Sequence, residues 1–175
     1  MTKRRHEVGL WLRALSYMVL IAGGWLLVLP GLLLAVERRH PVLQLREMPW
    51  PLIAAMFFLV SAPLGLIAGY FLIQRGRGTP FPLDPTRVLV TSGPYRHVRN
   101  PQGIAMTLAA AGEVAAIQSN LLWIMLPLTL LYLEALVGPI EERQLIAKHG
   151  DAYLAYRRRV PKWLPLVSKR TSRVP

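Results

Sequence analysis

The side chains able to do chemistry are concentrated in two polar stretches. In the first, Arg96, His97 and Arg99 stand just before Asn100-Pro101. Asn is a favoured helix cap and Pro suits the first helical position, so a helix is predicted to start there. Backbone N–H groups at a helix N-terminus already favour an anion, and three basic side chains beside them oppose the dipole unless something negative is present. Either a carboxylate or phosphate ligand or a layer of lipid headgroups meets that demand. The second stretch opens with Glu141-Glu142, adjacent carboxylates on a chain of net charge +12. They serve either to accept hydrogen bonds from a ligand or simply as solvated partners of nearby arginines. At helical spacing Glu142, Ile146, His149, Tyr153 and Tyr156 share one face, with Gly150-Asp151 a candidate break. Glu113 and Glu134 lie inside apolar runs, where an ionisable group is expensive and a functional candidate by default. Glu113 is placed near a hairpin tip and water. Glu134, two turns before Glu142, is placed toward an internal cavity.

Other chemistries are excluded or weakly supported. The chain has no cysteine, which removes thiol catalysis, cysteine-based zinc sites and a disulfide scaffold. His6, His40, His97 and His149 lack metal-ligand spacing, so no metal is expected. Gly76-Arg77-Gly78 lacks the strand and helix of a nucleotide-binding turn and reads as a plain turn.

The elements that must position these groups are mostly apolar. Of 175 residues, 53% are apolar and 17% charged, against about 25% charged in a typical soluble domain, and the mean hydropathy is +0.35. Disorder is excluded by the apolar content. Residues 14–36 and 50–73 carry no charge, and each is long enough to cross a hydrocarbon core of about 30 Å. Residues 101–117 and 121–140 form a second apolar pair across Gln118-Ser119-Asn120, which reads as a helical hairpin. The N-terminal run is too long for a cleaved signal segment and is taken as a retained helix. Pro30 and Pro139 are expected to bend their helices by freeing the carbonyls of Leu26 and Ala135. The segment from Arg75 to Pro101 is proline-rich and read as stiff and extended, with Val88-Leu89-Val90 either a short strand or a membrane-facing piece. Lys169 to Pro175 reads as a frayed tail. With four spans, only Arg38, Arg39 and Arg46 of the 21 basic residues fall on the face opposite the rest, which places both termini in the cytoplasm. Arg157-Arg158-Arg159, next to the membrane, suits acidic lipid rather than nucleic acid.

Together, GRGTPFPLDPTRVLVTSGPYRHVRNP, an apolar hairpin, and EERQLIAKHGDAYLAYRRRVPKWLP resemble the isoprenylcysteine carboxyl methyltransferase family and its phospholipid-methyltransferase relatives. The resemblance runs from Arg75 to Pro165. It implies an integral-membrane enzyme using S-adenosylmethionine, with a cofactor site over the cytoplasmic ends of the last helices. It implicates Gly93, Pro94, Tyr95, Arg96, His97, Arg99, Asn100, Pro101, Glu141 and Glu142 in cofactor binding. Arg96, His97 or Arg99 suits the cofactor carboxylate, Glu141 or Glu142 its hydroxyl or amino groups, and Tyr95 its adenine. Where the family continues HP-x-Tyr-x-Gly, this chain reads Asn100-Pro101-Gln102-Gly103-Ile104-Ala105, with Gly103 and Ala105 on the face expected to approach the cofactor.

The expectation is an all-α integral membrane protein occupying 1–175 as one domain: spans at 14–36 and 50–73, a cofactor loop at 75–101, a helical hairpin at 101–140, and a cytoplasmic helical segment at 141–165. The expected function is methyl transfer from S-adenosylmethionine to a lipid-like or prenylated acceptor, bearing a carboxylate, amine or thiol, in a prokaryotic-type cytoplasmic membrane. Glu142, Glu134 and Arg99 are the catalytic candidates. Membrane lipids are expected partners and nucleic acid is not. The alternative is a non-enzymatic membrane protein that binds acidic lipid or a partner through its basic face.

Overall fold

Asn100 caps the helix that begins at Pro101: its side-chain oxygen accepts the Gly103 N–H at 2.8 Å, and Pro101 sits in the first turn. This local chemistry recurs along the chain. The computed structural model describes residues 9–37 (other than 10, 14, 18, 21 and 22), 49–79, 86–118 and 121–164; the expected tail 169–175 lies outside them. A π-helical turn, Gly24–Val28, leads into α1 (Leu29–Glu37); α2 is Trp50–Gln74, α3 Pro101–Ile117, α4 Met125–Leu131 and α5 Gly138–Arg159. A π-helical stretch, Tyr132–Val137, joins α4 to α5, and 3-10 turns cover Gly93–Arg96 and Leu121–Ile124. Among the described residues there is no strand. Val88-Leu89-Val90 is irregular instead, because Val90 buries itself against Ala68 and Tyr95 rather than pairing. Nor is the described part of the 75–101 segment uniformly extended, since Gly93–Arg96 coils into its 3-10 turn.

Both prolines expected to bend a helix follow a π segment: Gly24–Val28 precedes Leu29-Pro30, and Tyr132–Val137 precedes Gly138-Pro139. Proline lacks an N–H and its ring crowds the carbonyl four residues back. Widening the preceding turn is one way to accommodate both effects, and Leu29 N–H accordingly reaches back to the Gly24 carbonyl. Tyr132 and Gly138 both keep helical dihedrals of φ −57°, ψ −48°, so the chain passes from α4 into α5 without a break.

By length and composition α2, with 25 residues, is the one helix among the described residues able to cross a membrane. At 1.5 Å per residue it extends about 37 Å, more than a hydrocarbon core needs. The apolar run 121–140 is divided by 3-10 and π geometry into shorter pieces.

Small residues allow α2 and α3 to lie close together. A Cβ on Gly65 would stand 3.4 Å from that of Ala105, and one on Gly112 would stand 3.1 Å from the Phe58 ring. Ala54, Ser61 and Ala68 from α2 and Ala105, Ala110 and Ala115 from α3 are buried. Where lipid surrounds a bundle, close van der Waals approach of this kind is what holds helices together. A second core joins Val114 and Met125 to Trp25, Leu29 and Leu33, with the Trp25 indole donating to Thr129 Oγ1 at 3.0 Å and stacking on Tyr132. Outward-facing Leu52, Met56, Leu59 and Leu66 on α2 and Leu130 and Leu131 on α4 are exposed.

Two breaks shape the polar end. Gly93 has φ +61°, and the Phe71 ring of α2 lies 2.5 Å from where its Cβ would be. Within α5, Gly150 (φ 49°, ψ −126°) leaves helical geometry and splits the helix in two, as the Gly150-Asp151 pair suggested. Gly93→Ala should lower stability by at least about 1 kcal/mol, because it combines a positive φ with a clash against a packed ring. A thermal melt in detergent checks this; an unchanged melting temperature would show that the Gly93–Phe71 approach is not needed.

Candidate active site

Arg99 is the centre of the polar end. It stands at the N-terminal side of α3, one residue before the Asn100 cap, and its guanidinium reaches three separate elements. Nη1 donates to Glu142 Oε1 at 2.6 Å and to the Tyr153 hydroxyl at 3.1 Å, while Nε donates to the Val160 carbonyl at 3.0 Å. Charge-assisted bonds of this length are the strong members of their class. Glu142 also faces Arg157 Nη1 at 3.4 Å through its other oxygen. On an unbroken helix Glu142 and Tyr153 would be separated by about 16 Å along the axis. The Gly150 break brings both to one nitrogen.

The chain beyond α5 then crosses back over the start of α3. Arg99 N–H donates to the Pro161 carbonyl at 2.8 Å and Asn100 N–H to the Lys162 carbonyl at 3.1 Å. This Val160–Lys162 strap satisfies donors that the preceding turn leaves open. Lys162 Nζ bonds Glu134 Oε2 at 2.7 Å, and the Trp163 indole donates to Glu134 Oε1. Gly138 makes room for the strap, since a Cβ there would stand 2.7 Å from Lys162 Nζ.

A cavity of about 80 Å³ lies inside this frame, lined by Arg99, Glu141, Glu142, Tyr95, Tyr153 and Lys162 among others. Tyr95 is buried, and its carbonyl accepts the Tyr156 hydroxyl at 2.6 Å. Burial pushes the Tyr95 phenol well above its usual range, with the Glu141 charge adding to the effect. Glu141 makes no hydrogen bond or ion pair among the described residues. Burial pushes its carboxyl up to about 7, against a weaker pull downward from Lys162. The cavity therefore holds one carboxylate committed to an arginine and one uncommitted.

Of the ten residues assigned to cofactor binding from sequence, Tyr95, Arg99, Asn100, Glu141 and Glu142 line this cavity. Gly93, Pro94 and Pro101 are scaffold: Gly93 and Pro94 form the 3-10 turn that carries Tyr95, and Pro101 is fully buried in the first turn of α3. Arg96 and His97 are exposed and do not line it. The 3-10 turn that buries Tyr95 and Val98 points these neighbours outward, so the basic cluster divides. The negative group that the basic cluster calls for beside Arg99 is Glu142, a residue of the same chain. Glu134, placed by its spacing toward an internal cavity, instead faces outward, where Lys162 and Trp163 engage it. Glu113 is not simply at the water edge, because its Oε2 is buried without a hydrogen-bond partner among the described residues. Gly103 and Ala105 do not approach the cavity either. Gly103 packs directly under the Asn100 side chain, and Ala105 meets Gly65 of α2. Gly103 serves the helix cap and Ala105 the packing of α3 on α2.

Sequence reasoning missed Lys162 as a lining residue and placed Tyr153 and Tyr156 only on a helical face. The signal available for the tyrosines was their spacing from Glu142. For Lys162 there was none, since its contacts depend on the strap's path.

The chain is thus a helical scaffold with apolar outer faces, carrying a half-buried polar cavity at the ends of α2, α3 and α5. A family model described as phospholipid methyltransferase matches residues 53–152, more than half of the chain, and the chain belongs to that family. It is accordingly a methyltransferase of lipid-like substrates, from a family of membrane proteins. No curated protein and no solved structure matches it. The matched segment includes Gly93–Pro101, Glu141 and Glu142 and ends before Tyr153 and the strap.

Arg99→Ala should cost about 2 kcal/mol, since it strips Glu142 of its closest partner in a half-buried setting. It should also speed tryptic cleavage at Lys162, because the strap loses its side-chain anchor; cleavage at the wild-type rate would refute that role. Glu141 gives a pH signature. Its folded carboxyl keeps a proton that the unfolded chain releases near 4.5, so its contribution to stability falls as pH rises through the interval up to about 7. The melting temperature in detergent should drop more between pH 5 and pH 8 for the wild type than for Glu141→Gln. Parallel curves would mean that Glu141 is solvated.

Proposed function

We propose that this protein transfers a methyl group from S-adenosylmethionine to a lipid-like acceptor, and that the cavity around Arg99, Glu141 and Glu142 is where it does so. The observation that carries the reading is an uncommitted, half-buried carboxylate (Glu141) facing a cavity that also holds a guanidinium and a lysine, within the segment matched by the family model. The cofactor is an amino-acid zwitterion joined to a nucleoside. Its carboxylate needs a cation, its ammonium an anion, its ribose an acceptor and its base an aromatic or apolar wall. Arg99 or Lys162, Glu141, Glu142 and Tyr95 supply that donor set in the same order, so the residues present fit the group. When bound, S-adenosylmethionine supplies an electrophilic methyl group on a sulfonium.

The chain's own part is to bind, align and exclude water. At about 80 Å³ the cavity is well below the roughly 300 Å³ that small-ligand sites start from. Binding therefore requires the Val160–Lys162 strap to give way, with the Arg99–Glu142 bridge opening or turning toward the ligand. Glu141, pushed up to about 7, ionises when the cofactor's ammonium approaches; an acid acceptor then needs no base, while an amine acceptor passes its proton to a carboxylate that the cofactor does not engage. Further spans from the apolar runs 14–36, 101–117 and 121–140, and a cytoplasmic site, are part of the same reading; the distribution of basic residues supports them.

Calorimetry with S-adenosylhomocysteine on purified protein in detergent tests the site. Glu142→Ala should lose saturable binding while keeping its helical circular dichroism, and Arg96→Ala should retain it. Transfer of labelled methyl into a total membrane lipid extract tests the reaction. A wild type that binds no S-adenosylhomocysteine at millimolar concentration would overturn the reading.

A further inference from the structure

Tyr153 stands just beyond the segment matched by the family model, and its hydroxyl accepts from Arg99 Nη1 at 3.1 Å. We propose that Tyr153 is a positioning residue for methyl transfer, holding the Arg99 guanidinium on its heading when a ligand's charge draws Glu142 away. The proposal rests on the reading of the cavity as the methyl-transfer site, and it names the contact there that ligand binding leaves in place.

A guanidinium is planar and rigid, so anchoring it at two nitrogens fixes its heading, whereas anchoring it at one lets it pivot. Arg99 is held at Nε by the Val160 carbonyl and at Nη1 by both Glu142 and Tyr153. When Glu142 leaves, anchors at Nε and Nη1 remain. When Tyr153 is missing as well, only the Val160 carbonyl is left.

The two partners of Nη1 differ in their freedom to leave. Glu142 is partly exposed, and its other oxygen faces Arg157 Nη1 at 3.4 Å. A carboxylate displaced from Arg99 therefore has a second cation and water to turn to. Tyr153 has no such latitude. It is 2% exposed, and its ring lies beside that of Tyr156, with centroids 6.2 Å apart. The Tyr156 hydroxyl in turn donates to the Tyr95 carbonyl at 2.6 Å, so the neighbour that braces Tyr153 is itself fastened to the turn before α3.

Charge separates the two partners again. An incoming carboxylate competes with Glu142 for the guanidinium, because both are anions. The phenol stays out of that competition. Burial raises the Tyr153 hydroxyl above its usual range, the Glu142 charge adds to this, and the Arg99 charge only partly opposes it. A neutral acceptor and an anion can bond one guanidinium together, since it has five donors.

Full-length protein in detergent serves for two measurements. Tyr153→Phe keeps the ring and removes only the hydroxyl, so its helical circular dichroism should match wild type. Calorimetry should show S-adenosylhomocysteine binding about tenfold more weakly, the loss expected for one hydrogen bond to a charged group. Nitrogen NMR on arginine-labelled protein reads the guanidinium directly and needs no ligand, with the Arg99 signals identified by their loss in Arg99→Lys. Glu142→Ala reproduces the state in which the carboxylate has gone. Its Arg99 Nη1 and Nη2 signals should stay resolved, and in Glu142→Ala/Tyr153→Phe they should merge as the group turns freely. Merged signals already in Glu142→Ala, or resolved ones in the double variant, would overturn the proposal. So would wild-type affinity in Tyr153→Phe, including the case where only its melting temperature falls, which marks a purely structural hydroxyl. No binding by wild type removes the methyl-transfer reading and this role with it, whereas normal wild-type binding that Tyr153→Phe leaves unchanged removes only the role of Tyr153.

Discussion

The polar end of this protein depends on one side chain meeting three partners at once. Arg99 neutralises Glu142, orients Tyr153 and holds the Val160 carbonyl, so the start of α3, both halves of α5 and the strap beyond it are tied at a single guanidinium. Each partner is only partly shielded, with Arg99 at 13% and Glu142 at 25% side-chain exposure. The bridge is therefore dry enough to matter and wet enough to exchange partners. A fully buried pair would be hard to open and an exposed one would contribute little. An intermediate setting leaves the pair able to separate when a competing charge arrives.

The rest of the scaffold divides labour. The glycine and alanine surfaces of α2 and α3 bring two backbones together and leave no room for a ligand between them, which pushes the chemistry to the helix ends. The two π segments let the chain keep its course through Pro30 and Pro139. The second of them has a further effect, because it delivers Gly138, Glu141 and Glu142 to the cavity as one turn. Gly138 then admits Lys162, and Gly93 admits the Phe71 ring beneath the turn that carries Tyr95.

Much of this was legible in the amino-acid sequence wherever the cause is local. Asn100-Pro101 announced the start of α3, the charge-free run announced α2, and Gly150-Asp151 announced the break in α5. The family resemblance identified the stretch that lines the cavity. What could not be read was the direction in which neighbours point. Arg96, His97 and Arg99 look equivalent on paper, yet one 3-10 turn sends the first two outward and leaves Arg99 inside. Glu142 could be seen as a carboxylate but not as the counter-ion of Arg99, since that contact spans 43 residues and requires α5 to arrive first. Lys162 and Trp163 gave no signal, because their roles come from a crossing and not from a motif. Gly103 and Ala105 look on paper like changes at a ligand, yet Gly103 makes room for the Asn100 cap and Ala105 packs against Gly65 of α2.

Among the described residues nothing lies within 4 Å of where a Cβ on Gly150 would be. Downstream of it, Tyr153, Tyr156 and Lys162 form part of the cavity wall on one continuous stretch of chain. These groups are thus mounted on an arm with a single articulation, latched at its far end to Arg99 and Asn100. The same arm is tied to the bundle again by the Tyr156 hydroxyl on the Tyr95 carbonyl and by Lys162 and Trp163 on Glu134, so its hold on the wall is spread along its length. Moving that half of the wall means breaking bonds at its end, its middle and its hinge side together, which makes the cavity's outline the sum of many contacts and not the property of one.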